Sequence, residues 1–198
     1  MGSAIANLCI LAVTVIAFAR SVWVVAGFVR TLLRARSLAA ARWGWVEFLA
    51  FPEPMVLAAV TYALMAHATP LAVLPRLRIA AAVAAAVLAV GGVALTIWAF
   101  LSLPSVGSGH YVLEKQRIVD RGAYGWLRHP LYLAAFMIWL GLAAAYFSLL
   151  PLLVFAVYVL PIYLLYIREE EQLMIERYGD SYREYRQRVG GLVPRVRR

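Results

Sequence analysis

The sequence predicts an all-α polytopic membrane protein, and three observations carry that prediction. The chain of 198 residues is 64% hydrophobic and only 15% charged, with a mean hydropathy of +0.79. That is more apolar surface than a soluble domain of this size can hide from water. Its apolar residues fall in runs long enough to cross a bilayer, which takes roughly 20 residues as helix. The runs lack strand-like alternation, and inside lipid only helices and closed barrels satisfy their own backbone polar groups.

About five transmembrane helices are expected, near residues 4–29, 46–67, 78–103, 131–148 and 151–167, separated by short polar or Pro/Gly-marked connections. No internal repeat or low-complexity linker interrupts them, so residues 1–198 read as a single domain. The N-terminus lacks the basic start of a cleavable signal peptide, and Ala6 sits where a myristoylation motif wants Ser or Thr. The first apolar run is therefore expected to be retained. Within it, Arg20 reads as a side chain snorkelling to an interface. Glu53, between Pro52 and Pro54, marks a break or an interfacial start of the second span. Cys9 is the only cysteine, which excludes an internal disulfide and leaves an apolar packing role.

A formal charge of +9 raises nucleic acid as a partner, but the basic residues are interleaved with apolar runs instead of gathering on one polar domain. No nucleic-acid partner is expected; membrane lipids are. Arg30, Arg34, Arg36 and Arg42 follow the first span, and Lys115, Arg117, Arg121 and Arg128 the third. Arg168, Arg177, Arg183, Arg186, Arg188, Arg195, Arg197 and Arg198 follow the fifth, whereas the opposite side holds only Arg76 and Arg78. The positive-inside rule then puts the N-terminus outside and the C-terminus in the cytoplasm. Lys115 is the only lysine, and the Arg-rich, Ala-rich composition suits a GC-rich bacterial genome and hence a bacterial inner membrane.

The last two spans are short and separated only by Ser148 to Pro151, the pattern of a tight helical hairpin. The polar segments on either side of it must meet at its cytoplasmic mouth. Before it come Gly107-Ser-Gly-His-Tyr and then Gly122-Ala-Tyr-Gly-Trp-Leu-Arg-His-Pro-Leu-Tyr132; after it come Glu169-Glu170-Glu171 and Tyr178-Gly-Asp-Ser-Tyr-Arg-Glu-Tyr185. Arg128 alone would suit an interface anchor, and Pro130 a first helical position. Anchoring does not account for the variety of side chains across the whole string. The glutamates continue an apolar helix, so they stand at the membrane surface, where a carboxylate beside Arg128 and His129 suits recognition of a zwitterion. Tyr178, Tyr182, Tyr185 and Val189 share one helical face, whose default role is packing. His67 reads as structural, and His110 sits in a Gly-rich loop that a ligand can approach closely. No spacing suggests a metal site, a nucleophilic triad or a phosphate loop.

The string from Gly122 to Tyr132, the hairpin, and the EExxMxxxYGxxYxxY pattern from Glu170 to Tyr185 resemble the isoprenylcysteine carboxyl methyltransferase family, to which the phospholipid N-methyltransferases are related. The resemblance covers roughly residues 105–194. The apolar runs give three N-terminal transmembrane helices within 1–103, and the resemblance implies a cofactor-binding and catalytic region within 104–198, ending in a cytoplasmic C-terminal helix. S-adenosylmethionine is then held by Gln116, Arg117, Ile118, Val119, Tyr124, His129, Pro130, Leu131, Tyr132 and Glu170. Gly107 and Gly109 are similar to the GxG element of the phospholipid enzymes. Arg128, Glu171 and Arg168 are the candidates for work at the reacting centre.

That cofactor's cations suit aromatic faces and Glu170, and its carboxylate suits Arg128 or His129. A carboxylate acceptor needs no general base, whereas an amine would require one, with Glu171 or His110 as candidates. Two positions depart from the family pattern: Tyr166 stands where the prenylcysteine enzymes of eukaryotes hold the acceptor carboxylate with Arg, and Gly191 replaces the usual Arg before Pro194. The leading expectation is O-methylation of a prenylated cysteine or similar lipid-tailed acid. N-methylation of a phosphatidylethanolamine-type headgroup is the alternative, and a non-catalytic scaffold or small transporter a distant third.

Overall fold

The computed structural model describes residues 2–33, 38–41, 45–67, 75–103, 111–113 and 118–195. In chain order these form α1 (Gly2–Leu33), β1 (Leu38–Ala41), α2 (Trp45–Ala50), α3 (Glu53–His67), α4 (Pro75–Ser102) and β2 (Tyr111–Leu113). A 3-10 turn (Gly122–Gly125) leads into α5 (Pro130–Tyr146), followed by α6 (Leu149–Val154), a π-helical segment (Phe155–Val159), α7 (Leu160–Tyr178) and α8 (Asp180–Arg188). Among the described residues, four helical stretches are long and apolar enough to cross a membrane: Ala4–Ala26, Phe48–His67, Arg76–Ser102 and Leu149–Tyr178. The remaining expected span is α5, whose 17 residues make a rod of about 25 Å, somewhat less than a bilayer core. Large apolar side chains such as Leu8, Leu11, Val22, Val87 and Leu101 point outward, where lipid and not water is the solvent.

The expected hairpin is present, but its second arm is not short. Phe147 turns the chain with a left-handed backbone (φ 51°), its N–H bonding back to the end of α5, and Ser148 accepts from Leu150 N–H at the start of α6. From Leu149 the helix then runs 30 residues to Tyr178, because Arg168 to Glu171 continue the helical backbone beyond the apolar stretch. The π segment lies just before Pro161. Proline cannot donate to the carbonyl four residues back, and Leu160 N–H bonds instead to Phe155, five back, which absorbs the mismatch without ending the helix.

Helices α4 and α5 make the most extensive contact in the bundle. Ala85 and Ala89 on α4 and Ala134, Ala135, Ile138 and Leu142 on α5 are buried there. A side chain at Gly92 would begin 2.9 Å from the Ala134 carbonyl oxygen, and one at Gly141 would begin 3.1 Å from that of Ala85. Small residues on both helices thus let the backbones approach, the packing that membrane helices use where no hydrophobic effect drives association. Ser102, at the end of α4, accepts from Ala123 N–H at 3.0 Å and so ties that helix to the 3-10 turn before α5.

The break expected at Glu53 is present: Phe51 and Pro52 turn between α2 and α3, which starts at Glu53. Two expectations are revised. The helical plan gains a small antiparallel ribbon, β1 with β2, pairing Leu38 with Leu113 and Ala41 with Tyr111 and joining the connections after α1 and α4. The stripe from Tyr178 to Val189 is not one continuous helix, since Gly179 adopts φ 56°, ψ −127°, a conformation open essentially only to glycine, and ends α7. The stripe's packing role holds all the same: Tyr182, Tyr185 and Val189 are buried against Ile118, Met174, Ile175 and Tyr178.

The snorkelling expected of Arg20 is not found, and Glu53, at the expected break, is buried, only 2% exposed. Nη1 of Arg20 donates to both Glu53 carboxylate oxygens at 2.9 and 3.0 Å, Trp139 Nε1 donates to Oε1 at 2.6 Å, and the Tyr163 hydroxyl donates to Oε2 at 3.0 Å. Helices α1, α3, α5 and α7 therefore meet at one carboxylate inside the apolar bundle.

Candidate functional site

Pro130 starts α5 at its first helical position, which leaves Arg128 and His129 just before the helix at the mouth of the hairpin. Beside that mouth, α7 carries Glu170 and Glu171 on successive positions, about 100° apart around the helix. Each finds a different partner. Glu171 Oε1 accepts from Arg128 Nε at 2.8 Å and lies 3.0 Å from His129 Nε2, while Arg186 Nε stands 3.6 Å from Oε2. Glu170 Oε2 accepts from the Tyr132 hydroxyl at 2.8 Å, with His129 Nδ1 3.6 Å away. His129, 5% exposed, thus bridges the two carboxylates.

An aromatic wall continues inward from this cluster. The His129 and Tyr132 rings stack at 5.6 Å, Tyr132 and Tyr163 at 5.3 Å, and Tyr166 meets Tyr132 edge-on at 5.9 Å. From the other side α8 closes the cluster: the Tyr185 hydroxyl donates to the Tyr124 carbonyl at 2.7 Å. The chain after α8 then lies against the segment before α5, with Arg128 N–H bonded to Gly190 O at 2.8 Å and His129 N–H to Gly191 O at 3.3 Å. Arg128 Nη1 donates to the carbonyls of Arg186 and Val189. Arg128 is therefore a clasp joining α7, the end of α8 and the start of α5. A side chain at Gly191 would begin 3.4 Å from Arg128 Nη2, so an arginine there would bring two guanidinium groups together.

Among the residues named from the sequence, the structure brings together Arg128, His129, Pro130, Tyr132, Glu170 and Glu171, with Tyr124 reached through Tyr185. Ile118 packs under α8 and Val119 is half-buried beside it. Leu131, half-buried, follows Pro130 in the first turn of α5. Arg168 is not brought to the cluster: it is exposed, two positions before Glu170 and so about 200° around α7. Gln116, Arg117, Gly107, Gly109 and His110 lie outside the described residues. Sequence reasoning missed Tyr163 as a neighbour of the cluster. Its spacing of three and seven residues before Tyr166 and Glu170, on one helical face, is the signal that would have found it.

Burial works against a positive charge on His129, but its hydrogen bonds to Glu170 and Glu171 and their negative charges outweigh that and raise its pKa above the ordinary 6.5. Because the folded value lies above the unfolded one, the protonated ring stabilises the fold fully below about pH 6.5, and this contribution is lost as pH rises through the raised value. The thermal midpoint of the detergent-solubilised protein should then exceed that of His129→Gln by a margin that is full below about pH 6.5 and shrinks as pH rises through the raised value. A margin independent of pH would show that the ring is neutral throughout. Burial likewise raises the pKa of the Tyr124, Tyr182 and Tyr185 phenols, which keeps them as neutral hydrogen-bond donors.

An apolar helical bundle with a polar cluster at the mouth of its hairpin defines the class: an integral membrane protein. Its family is shown by comparison, since the profile of the phospholipid methyltransferase family matches residues 80–181, just over half of the chain and most of the site. The chain belongs to that family, which also includes the isoprenylcysteine carboxyl methyltransferases, and it is a membrane methyltransferase. No curated protein matches it.

Proposed function

We propose that this methyltransferase takes its methyl group from S-adenosylmethionine and transfers it to the carboxylate of a prenylated cysteine or a similar lipid-tailed acid, at the cytoplasmic face of a bacterial inner membrane. The observation that carries the cofactor reading is the pairing of Glu170 with Tyr132 and His129, on the residues that the family resemblance assigns to the cofactor. The donor set fits this group: a carboxylate suits its ammonium, and the faces of Tyr132 and Tyr166 suit a sulfonium. Bound there, the cofactor supplies an electrophilic methyl group. The protein's own contribution is positional: Tyr132 orients Glu170, His129 and Arg128 orient Glu171, and the tail after α8 excludes water from their backs. The region 104–198 acts as the binding and catalytic part of one domain. The arginine asymmetry supports an external N-terminus.

Glu171 supports a carboxylate acceptor. Its oxygens are engaged by Arg128, His129 and Arg186, so it is poorly placed to lift a proton from an amine, whereas a carboxylate acceptor is already ionised. One observation favours the phospholipid amine as a second reading: Tyr166, in place of the carboxylate-holding arginine, presents an aromatic ring and no cation beside Tyr132. Purified protein incubated with methyl-labelled S-adenosylmethionine and either a farnesylcysteine analogue or phosphatidylethanolamine separates the two. Label released by mild base from the farnesylcysteine product is the expected result. Label only in the phospholipid would replace the acceptor, and label in neither would overturn the proposal.

A further inference from the structure

The buried ion pair of Arg20 and Glu53 lies outside the cofactor-binding cluster, yet it is joined to that cluster by contact. A charge held inside a membrane bundle is expensive and calls for a reason. Tyr163 provides the connection. Its hydroxyl donates to Glu53 at 3.0 Å and accepts from Arg20 Nη2 at 3.4 Å, while its ring stacks on Tyr132 at 5.3 Å. Tyr132 in turn donates to Glu170 at 2.8 Å. Tyr163 sits seven residues before Glu170, two turns or roughly 10 Å further into the bundle on the same helical face.

We propose that the Arg20–Glu53 pair is a positioning device: it fixes the Tyr163 ring, which holds Tyr132 with its hydroxyl on Glu170 and so sets the affinity for S-adenosylmethionine. The inference rests on the cofactor reading given above. Trp139 reinforces the device by donating to the same carboxylate at 2.6 Å, and the four hydrogen bonds to Glu53 come from three donors on three helices, α1, α5 and α7. A phenol whose hydroxyl is anchored cannot slide along its neighbour's face. Side-chain networks of this kind convert a fixed charge in the bundle into a fixed orientation at its mouth.

The test is calorimetric titration of S-adenosylhomocysteine into the full-length protein and five variants. Tyr163→Phe removes one hydroxyl and keeps the ring; Glu53→Gln removes the charge. Tyr146→Phe is the matched control, since it deletes a hydroxyl that contacts Thr14 at 2.8 Å, at the other end of α5. Tyr163→Phe is expected to weaken binding about three- to tenfold, within the range of a coupled contact. Tyr146→Phe should leave affinity unchanged. In a Tyr132→Phe background, where no hydroxyl reaches Glu170, adding Tyr163→Phe should bring no further loss. Equal affinity of wild type and Tyr163→Phe, or losses that simply add with Tyr132→Phe, overturns the positioning role while leaving the cofactor reading intact. Absence of binding by the wild type overturns both. Should Glu53→Gln fail to fold, the Tyr163→Phe arm decides alone.

Discussion

An Arg20→Leu protein is expected to lose about 3–5 kcal/mol of stability, the usual consequence of removing one partner from a buried ion pair. Glu53 would be left 2% exposed without its cationic partner, with only Trp139 and Tyr163 as donors. A snorkelling arginine would behave differently, because its head group would already be in water and its removal would take away only stem packing. The double variant Arg20→Leu/Glu53→Leu should recover part of the loss, since an apolar pair carries no desolvation penalty. Recovery stays partial because Trp139 Nε1–H and the Tyr163 hydroxyl lose their acceptor. Chemical unfolding in detergent micelles measures all three proteins. An Arg20→Leu midpoint equal to that of the wild type would mean that the pair adds nothing to the fold.

That cluster also marks where the sequence stops being informative. Arg20 and Glu53 are 33 residues apart, Glu53 and Trp139 are 86, and Glu53 and Tyr163 are 110. Their meeting depends on how four helices cross, and hydropathy carries no crossing angles. The available signal is Arg20 in the first apolar run and Glu47 and Glu53 in the second, which alone does not say which of them face each other. The mouth of the hairpin is different. Arg128, His129 and Tyr132 precede the turn and Glu170 and Glu171 follow it, so antiparallel packing of two neighbouring helices suffices to join them. Their approach is legible from spacing alone. The break at Gly179 is hidden for another reason: Tyr178, Tyr182 and Tyr185 keep to one side across it, and a periodicity that survives a break cannot reveal one.

The second large effect falls on Glu170 and spares its neighbour. Successive helix positions point about 100° apart, so Glu169, Glu170 and Glu171 cannot share one set of partners. Glu171 faces Arg128 and His129, Glu170 faces Tyr132, and Glu169 is turned a further step away. Glu170→Gln keeps the shape and an acceptor for the Tyr132 hydroxyl but removes the charge that would meet the cofactor ammonium. It should weaken S-adenosylhomocysteine binding by about 1.5–3 kcal/mol, the worth of a hydrogen bond to a charged group, which is roughly tenfold to a hundredfold or more. Glu169→Gln should change affinity by less than about twofold, as befits a surface charge. Calorimetric titration of both variants reads the difference, and turnover with labelled S-adenosylmethionine should fall in parallel for Glu170→Gln alone. Loss of turnover in Glu169→Gln with normal turnover in Glu170→Gln would shift the register of α7 by one residue, and the assignment of Tyr132 to the same site would fall with it, because that hydroxyl is placed by its bond to Glu170.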